Sequence, residues 1–243
     1  MNESQRRKTA IVTGASRGIG LEIARRLLSL GYRVVANSRT ITVSNTLERT
    51  EDLVLMDGDI GDRTTAELLV ATAVERFGSV DLLVNNAGIF ISKSFTKYSV
   101  EDFCEITRTN LAGFFHVSQL AVAQMVKQHA GHVVNITTSL VNQPIAGVPS
   151  VLANLTKGGL QSATRALAIE FASECVRFNA IAPGVVDTPM HPEGAHQFLR
   201  KLSPFHRLAE VPEIVAALLY LESAPFVNGE VLHVDGGAHA GKW

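Results

Sequence analysis

Short runs rich in β-branched residues recur along this chain, and between them lie segments whose apolar residues repeat with a helical period. The runs are TAIVTG (9–14), RVVAN (33–37), LVLMD (53–57), DLLVNN (81–86), HVVNIT (132–137), VRFNAIAP (176–183) and EVLHVD (230–235). Their inner residues are almost all apolar. Strands without polar alternation belong in a sheet covered on both faces, which means parallel strands joined by helical crossovers.

The intervening segments supply those helices. GIGLEIARRLLSLG sets Ile19, Ile23, Leu27 and Leu30 on one face and stops at Gly31, and TAELLVATAVERFG repeats the plan with Leu68, Val74 and Phe77 before Gly78. Ser99 followed by Asp102 forms a capping box that opens a longer helix through Phe103, Ile106, Asn110, Phe114, Val117 and Leu120. Further helices fit 150–174 and 210–222. No linker or internal repeat divides the alternation, so residues 1–243 are expected to form one α/β domain, a doubly wound parallel sheet of about seven strands with helices on both faces. A chain this long, 46% apolar, can bury one such core.

The stretch TPMHPEGAHQFLRKLSPFHRL (188–208) breaks the pattern with three prolines and three histidines. It reads as a lid-like excursion beside a substrate.

Charge narrows the partners. The 22 basic and 23 acidic residues nearly cancel and no basic run exceeds Arg6-Arg7-Lys8, which argues against nucleic acid or an anionic membrane. Cys104 and Cys175 lie in no ligand spacing, so no metal site is expected. The start MNESQRRKTA has no signal-like apolar stretch, and no run approaches the roughly 20 residues of a membrane span. A cytoplasmic protein with a small-molecule partner is expected.

Chemistry enters at Thr13-Gly14-Ala15-Ser16-Arg17-Gly18-Ile19-Gly20, between the first strand and the first helix. Glycines there let the backbone turn sharply and approach a pyrophosphate, which meets the partial positive charge of the helix N-terminus. A glycine-rich turn that only serves packing has the same appearance.

Further along stand NNAG (85–88), Asn110 in TNLAGFF, VVNITTS (133–139), Lys157 in TKGGL, NAIAPGVVDTPM (179–190) and GEVLHVDGG (229–237). In order and spacing these motifs resemble the short-chain dehydrogenase/reductase family over nearly the whole chain, in outline its 3-oxoacyl-carrier-protein reductase group. The resemblance implies a single-domain Rossmann-type sheet, a nicotinamide cofactor, a carbonyl substrate and a homo-oligomer, tetramer or dimer. It implies that Gly14, Ser16, Gly18, Ile19 and Gly20 line the pyrophosphate and ribose. Asp59 of the D-G-D-I stretch, followed by Ile60, would meet the adenine amino group, with Asp57 as the alternative register. Asn86, Ala87 and Gly88 would run along the cofactor, and Pro183, Gly184, Val186 and Thr188 would meet its nicotinamide end. Asn85 is at least as well explained as a strand-end cap.

The end of the second strand, where a carboxylate would accept from the adenosine ribose, reads Asn37-Ser38-Arg39. Arg39 and Arg17 can clamp a 2′-phosphate through charge-assisted hydrogen bonds, with Ser38 beside them, so NADP(H) is favoured over NAD(H).

PSVLANLTKGGL (149–160) holds a single charge, Lys157, among apolar residues, and burying an ammonium there is costly without a partner. In the family the matching lysine follows a tyrosine by four residues, grips the nicotinamide ribose and lowers the phenol pKa for proton transfer. Four residues before Lys157 stands Ala153, and the six- and seven-residue spacings land on Val151 and Ser150. Tyr32, Tyr98 and Tyr220, the only tyrosines, lie far from it in sequence. Ser139, with Thr138 as the alternative, matches the residue that polarises the carbonyl, and Asn110 matches one that holds a relay water.

Three explanations stand for Ala153. The chain is an engineered Tyr→Ala variant; or a natural member that takes its proton from elsewhere, with Tyr98, His191, His196 and His206 as sources; or a nucleotide-binding sensor or partner subunit without turnover. Substrate-contacting residues are expected from Phe90 to Phe95, Val141 to Val148 and 188–208.

Overall fold

The structure is a computed structural model that describes residues 6–44, 46–191 and 193–242. The expectations placed on the first five residues, and on Pro192 within the 188–208 excursion, lie outside them.

The β-branched runs form β1 (Thr9–Thr13), β2 (Arg33–Ser38), β3 (Leu53–Asp57), β4 (Leu82–Asn85), β5 (Gly131–Ile136), β6 (Val176–Pro183) and β7 (Val231–Val234). They make one parallel seven-stranded sheet in the order β3-β2-β1-β4-β5-β6-β7. The inner strands β1 and β4 are buried throughout, whereas the edge strands β3 and β7 are partly open, as their single neighbour requires. The chain reverses its progress across the sheet between β1 and β4. At such a switch point the crossover helices leave on opposite faces and open a crevice at the carboxyl ends of the strands.

The helices are α1 (Gly18–Ser29), α2 (Arg63–Phe77), α3 (Val100–Thr107), α4 (Gly113–Gln128), α5 (Val151–Glu170), α6 (His196–Leu199) and α7 (Val211–Ser223). One core packs Ile23, Leu27, Ile214 and Leu218 of α1 and α7 under the sheet, and the other packs Leu69, Phe77, Val117 and Met125 of α2 and α4 over it. No helix among the described residues is long and apolar enough to cross a membrane.

Two details depart from the sequence reading. Leu30 is 47% exposed and Leu68 is 59% exposed, so the residue that follows α1 turns outward and α2 buries Leu69 in place of Leu68. The helix expected from 99 to 120 starts at the capping box as expected, with both Ser99 and Asp102 bonds formed, but breaks into α3 and α4 at a π turn over Arg108–Ala112. Phe103 then points to solvent at 46% exposure while Ile106 is buried. The excursion at 188–208 carries α6 with short 3₁₀ turns on either side.

Candidate active site

The carboxyl ends of the strands enclose a cavity of about 950 Å³. Its floor is the glycine turn. Gly14 has φ +66°, and a Cβ there would sit 2.9 Å from the Ala87 Cα, so only glycine permits this approach of the two strand-end loops. Gly20 lies behind the cavity wall, where a Cβ would meet the Gly14 carbonyl oxygen at 2.5 Å, and its part is to bring α1 against the turn.

Thr13 and Asn86 tie the floor together, a role the sequence did not disclose for Thr13. The Thr13 hydroxyl accepts from the Asn86 and Ala87 amides at 3.1 and 3.0 Å, and the Asn86 side-chain amide donates to the Thr13 and Gly14 carbonyls at 2.9 and 3.1 Å. Asn37 does the same across β2 and β3, donating to Met56 O and Gly58 O. Asn85 takes no part in the lining. Its amide donates to Ser118 and Asn135 in the interior, in keeping with a strand-end cap.

At one end the cavity meets Arg17, Ser38, Arg39 and Asp59. Arg17 and Arg39 are exposed, and neither pairs with a carboxylate among the described residues. The Ser38 hydroxyl oxygen is buried without a hydrogen-bond partner among the described residues. Asp59 accepts from the Gly61 amide and lies 3.4 Å from the Arg108 guanidinium, whereas Asp57 faces away and accepts from Thr42, so of the two registers only Asp59 borders the cavity. Arg108 also pairs with Asp62 at 2.7 Å and adds a charge that the sequence reading had not placed here.

At the other end Lys157 enters from α5. Its Nζ donates to the Ile136 carbonyl at 2.8 Å, and a Cβ on Gly88 would lie 3.0 Å from it, so the ammonium is wedged between the end of β5 and the loop after β4. Burial pushes its pKa down to about 8. Ala153 lines the same cavity one turn earlier. Ser139 and Thr138 line it too, but the Thr138 hydroxyl accepts from the Leu140 amide, while that of Ser139 makes no hydrogen bond among the described residues.

Asn110 stands outside the lining. The π turn directs its side chain at the loop after β4, where it accepts from Ile89 N at 2.9 Å and donates to Ile89 O and the Thr156 hydroxyl, both at 3.1 Å. Of the alternative proton sources, only His191 borders the cavity. The Tyr98 hydroxyl donates to Ile91 O, and His196 and His206 lie off the wall. The apolar part of the wall includes Phe90, Ile145, Val148, Met190, Leu199 and Leu202, drawn from the three segments expected to meet substrate.

The family model described as "Enoyl-(Acyl carrier protein) reductase" matches residues 14–239. The chain belongs to the short-chain dehydrogenase/reductase family. Among its relatives, a 3α-hydroxysteroid dehydrogenase of Mediterraneibacter gnavus is 36% identical over 96% of this chain and 97% of its own. The structure of ElxO with NADP bound superposes with a TM-score of 0.89 at 26% identity, covering 97% of this chain and all of that one, 100%. A 3-ketoacyl-(acyl-carrier-protein) reductase from Brucella melitensis, complexed with NADH, also gives 0.89, at 28% identity over 96% of this chain and 98% of its own. The dehydrogenase, the reductase and the NADP-bound structure each align with at least 96% of this chain, and the crevice at its switch point is where folds of this family hold a dinucleotide.

Proposed function

We propose that this chain binds NADP(H) in the cavity and transfers hydride between it and a ketone or 3-oxoacyl-like compound. The observation that carries the reading is that one cavity joins the glycine turn to the Lys157 ammonium. The residues suit the cofactor. The Gly14 turn leaves room for a diphosphate against the start of α1, and the Ser38 hydroxyl, Arg17 and Arg39 line the same cavity, none of them paired among the described residues, where a 2′-phosphate needs donors. Asp59 and Ile60 line the cavity, where this reading assigns them to the adenine, as do Pro183, Gly184, Val186 and Thr188, which it assigns to the nicotinamide.

When bound, the nicotinamide supplies or accepts the hydride. Lys157 keeps hydrogens beyond the one given to Ile136 O, and with them it holds the ribose hydroxyls and fixes the sugar beside the substrate. The free hydroxyl of Ser139 donates to the substrate oxygen and stabilises the negative charge that grows there. Asn110 acts through Ile89, holding the loop that carries Ala87 and Gly88. The 188–208 excursion covers the apolar substrate end. The relatives act on a hydroxysteroid and on a 3-ketoacyl group by their names, and both fit an apolar wall. We further propose a cytoplasmic homo-oligomer, a dimer or tetramer, supported by exposed Phe103, Phe115, Val151 and Leu155 on α3, α4 and α5.

Ala153 favours a second reading, a silent NADP(H)-binding sensor or partner subunit, because loss of a general acid typically costs about 10²–10⁴ in rate. Fluorescence titration with NADPH and NADH tests the binding. NADPH is expected to saturate at least tenfold tighter, and Arg39→Ala should weaken NADPH alone. No saturable signal from either nucleotide defeats both readings. NADPH consumption with a 3-oxosteroid and with an acetoacetyl thioester, for this chain and for Ala153→Tyr, then separates them. Turnover confined to Ala153→Tyr supports a disabled reductase, and silence in both despite NADPH binding supports the sensor or partner subunit.

A further inference from the structure

With alanine at 153, an acid must be sought on another wall of the cavity. Lys157 is committed to Ile136 O and wedged against Gly88, on the side assigned to the ribose. Another part of the wall is the loop after β6, which runs past Thr188 and Met190 to His191. His191 is half-buried there, its backbone amide donates to Thr188 O at 2.9 Å, and its carbonyl lies 3.3 Å from the His196 Nε2. His196 in turn lies 3.7 Å from Asp187. The backbone of His191 is thus fixed at both ends, while its imidazole makes no hydrogen bond among the described residues and borders the same space as Ala153 and Ser139.

We propose that His191 is the proton-transferring residue of this chain, replacing a phenol at position 153 from the loop after β6. The inference rests on the reductase reading above. In reduction the carbonyl π bond opens, hydride from the reduced nicotinamide forms the new C–H bond, and the imidazolium of His191 gives its proton to the oxygen, leaving neutral imidazole, alcohol and oxidised nicotinamide. In oxidation neutral His191 takes the hydroxyl proton as hydride leaves the carbon. Burial, with the adjacent His196, pushes its pKa below the ordinary histidine value, and Asp187 opposes this. The resting imidazole is therefore neutral at pH 7. It suits a base, so alcohol oxidation should reach its plateau by neutral pH and carbonyl reduction should decline as pH rises.

The test uses His191→Gln in the full chain, with NADPH and a 3-oxosteroid or acetoacetyl thioester, and the matching alcohols with NADP⁺. Turnover should fall at least 100-fold with NADPH affinity unchanged within twofold. In Ala153→Tyr/His191→Gln it should return without the histidine inflection in the pH profile. In ¹³C-labelled protein the His191 ring resonances should shift when the ketone binds to the NADP⁺ complex. Activity within threefold of the unaltered chain in His191→Gln, failure of Ala153→Tyr to restore it, or no turnover by the unaltered chain despite NADPH binding each overturns the proposal. Loss of NADPH binding by the unaltered chain instead overturns the reductase reading beneath it.

Discussion

Lys157 carries its charge at a cost to the fold. Its pKa of about 8 lies below the ordinary 10.5 because burial disfavours the ammonium, so the folded state binds fewer protons than the unfolded chain between those values. Stability should rise with pH across that window, and the penalty is complete below it. Lys157→Met removes the penalty while keeping the stem. The apo protein is then expected to gain about 1 kcal/mol at pH 7, or roughly 2–4 °C in Tm, and to lose its rise in stability above pH 8. NADPH should bind at least tenfold more weakly. Calorimetry with and without nucleotide measures both, and a variant that is no more stable than the parent would show that the ammonium is better solvated than its burial implies. The sequence pointed at this residue because one charge in an apolar helix face demands a partner. It could not give that partner, because Ile136 O is a backbone group 21 residues away.

At the scale of elements, periodicity was legible wherever one helix faced one layer and misleading wherever the chain turned within a helix. The capping box at Ser99 and the glycine stop at Gly78 are local signals, and both appear where the sequence put them. The π turn at Arg108–Ala112 is not local, since its wider ring is stabilised by what Asn110 reaches, namely Ile89 and Thr156. Thr156, unremarked in the sequence, accepts from Asn110 and donates to Leu152 O at 2.9 Å. It is a positioning residue for the loop after β4. Thr156→Val keeps the shape but leaves an Asn110 donor unpaired in the interior, at a cost of about 1–3 kcal/mol. If positioning is its part, NADPH affinity should fall several-fold in Thr156→Val and recover in Thr156→Ser, which keeps the hydroxyl. Equal affinity in both variants would reduce Thr156 to a structural residue.

Across the whole molecule the two ends of the sheet have separate duties. The carboxyl ends hold the cavity, and the amino ends hold a buried polar network centred on Glu222 of α7. Glu222 accepts from Lys8 and Tyr32 at 2.7 and 3.0 Å and lies 2.8 Å from the His132 Nδ1, while Arg177 approaches to 3.8 Å. These bonds tie the entry to β1, the starts of β5 and β6, and the last long helix into one unit. Burial alone would raise the Glu222 pKa, but hydrogen bonds from His132 and Lys8 outweigh it and hold the carboxyl at about 2. Burial also pushes the His132 imidazole below its ordinary 6.5. Both groups bind protons more readily in the unfolded chain, so both contribute stability that is present above their unfolded pKa values and is lost as pH falls. The loss should begin below pH 6.5 through His132 and steepen from 4.5 toward 2 through Glu222. Glu222→Gln removes the second window and leaves half-exposed Lys8 and the more distant Arg177 without their anion, a change expected to cost about 1–3 kcal/mol at pH 7. His132 and Ile136 are four residues apart along β5, a separation of about 13 Å, far enough for effects at the two ends to be independent. Urea unfolding of the Gln variant from pH 7 down to pH 3 should therefore show lower stability with a flatter acid limb, at an NADPH affinity unchanged within twofold. An affinity that fell with the stability would mean that the network and the cavity are coupled through the strand.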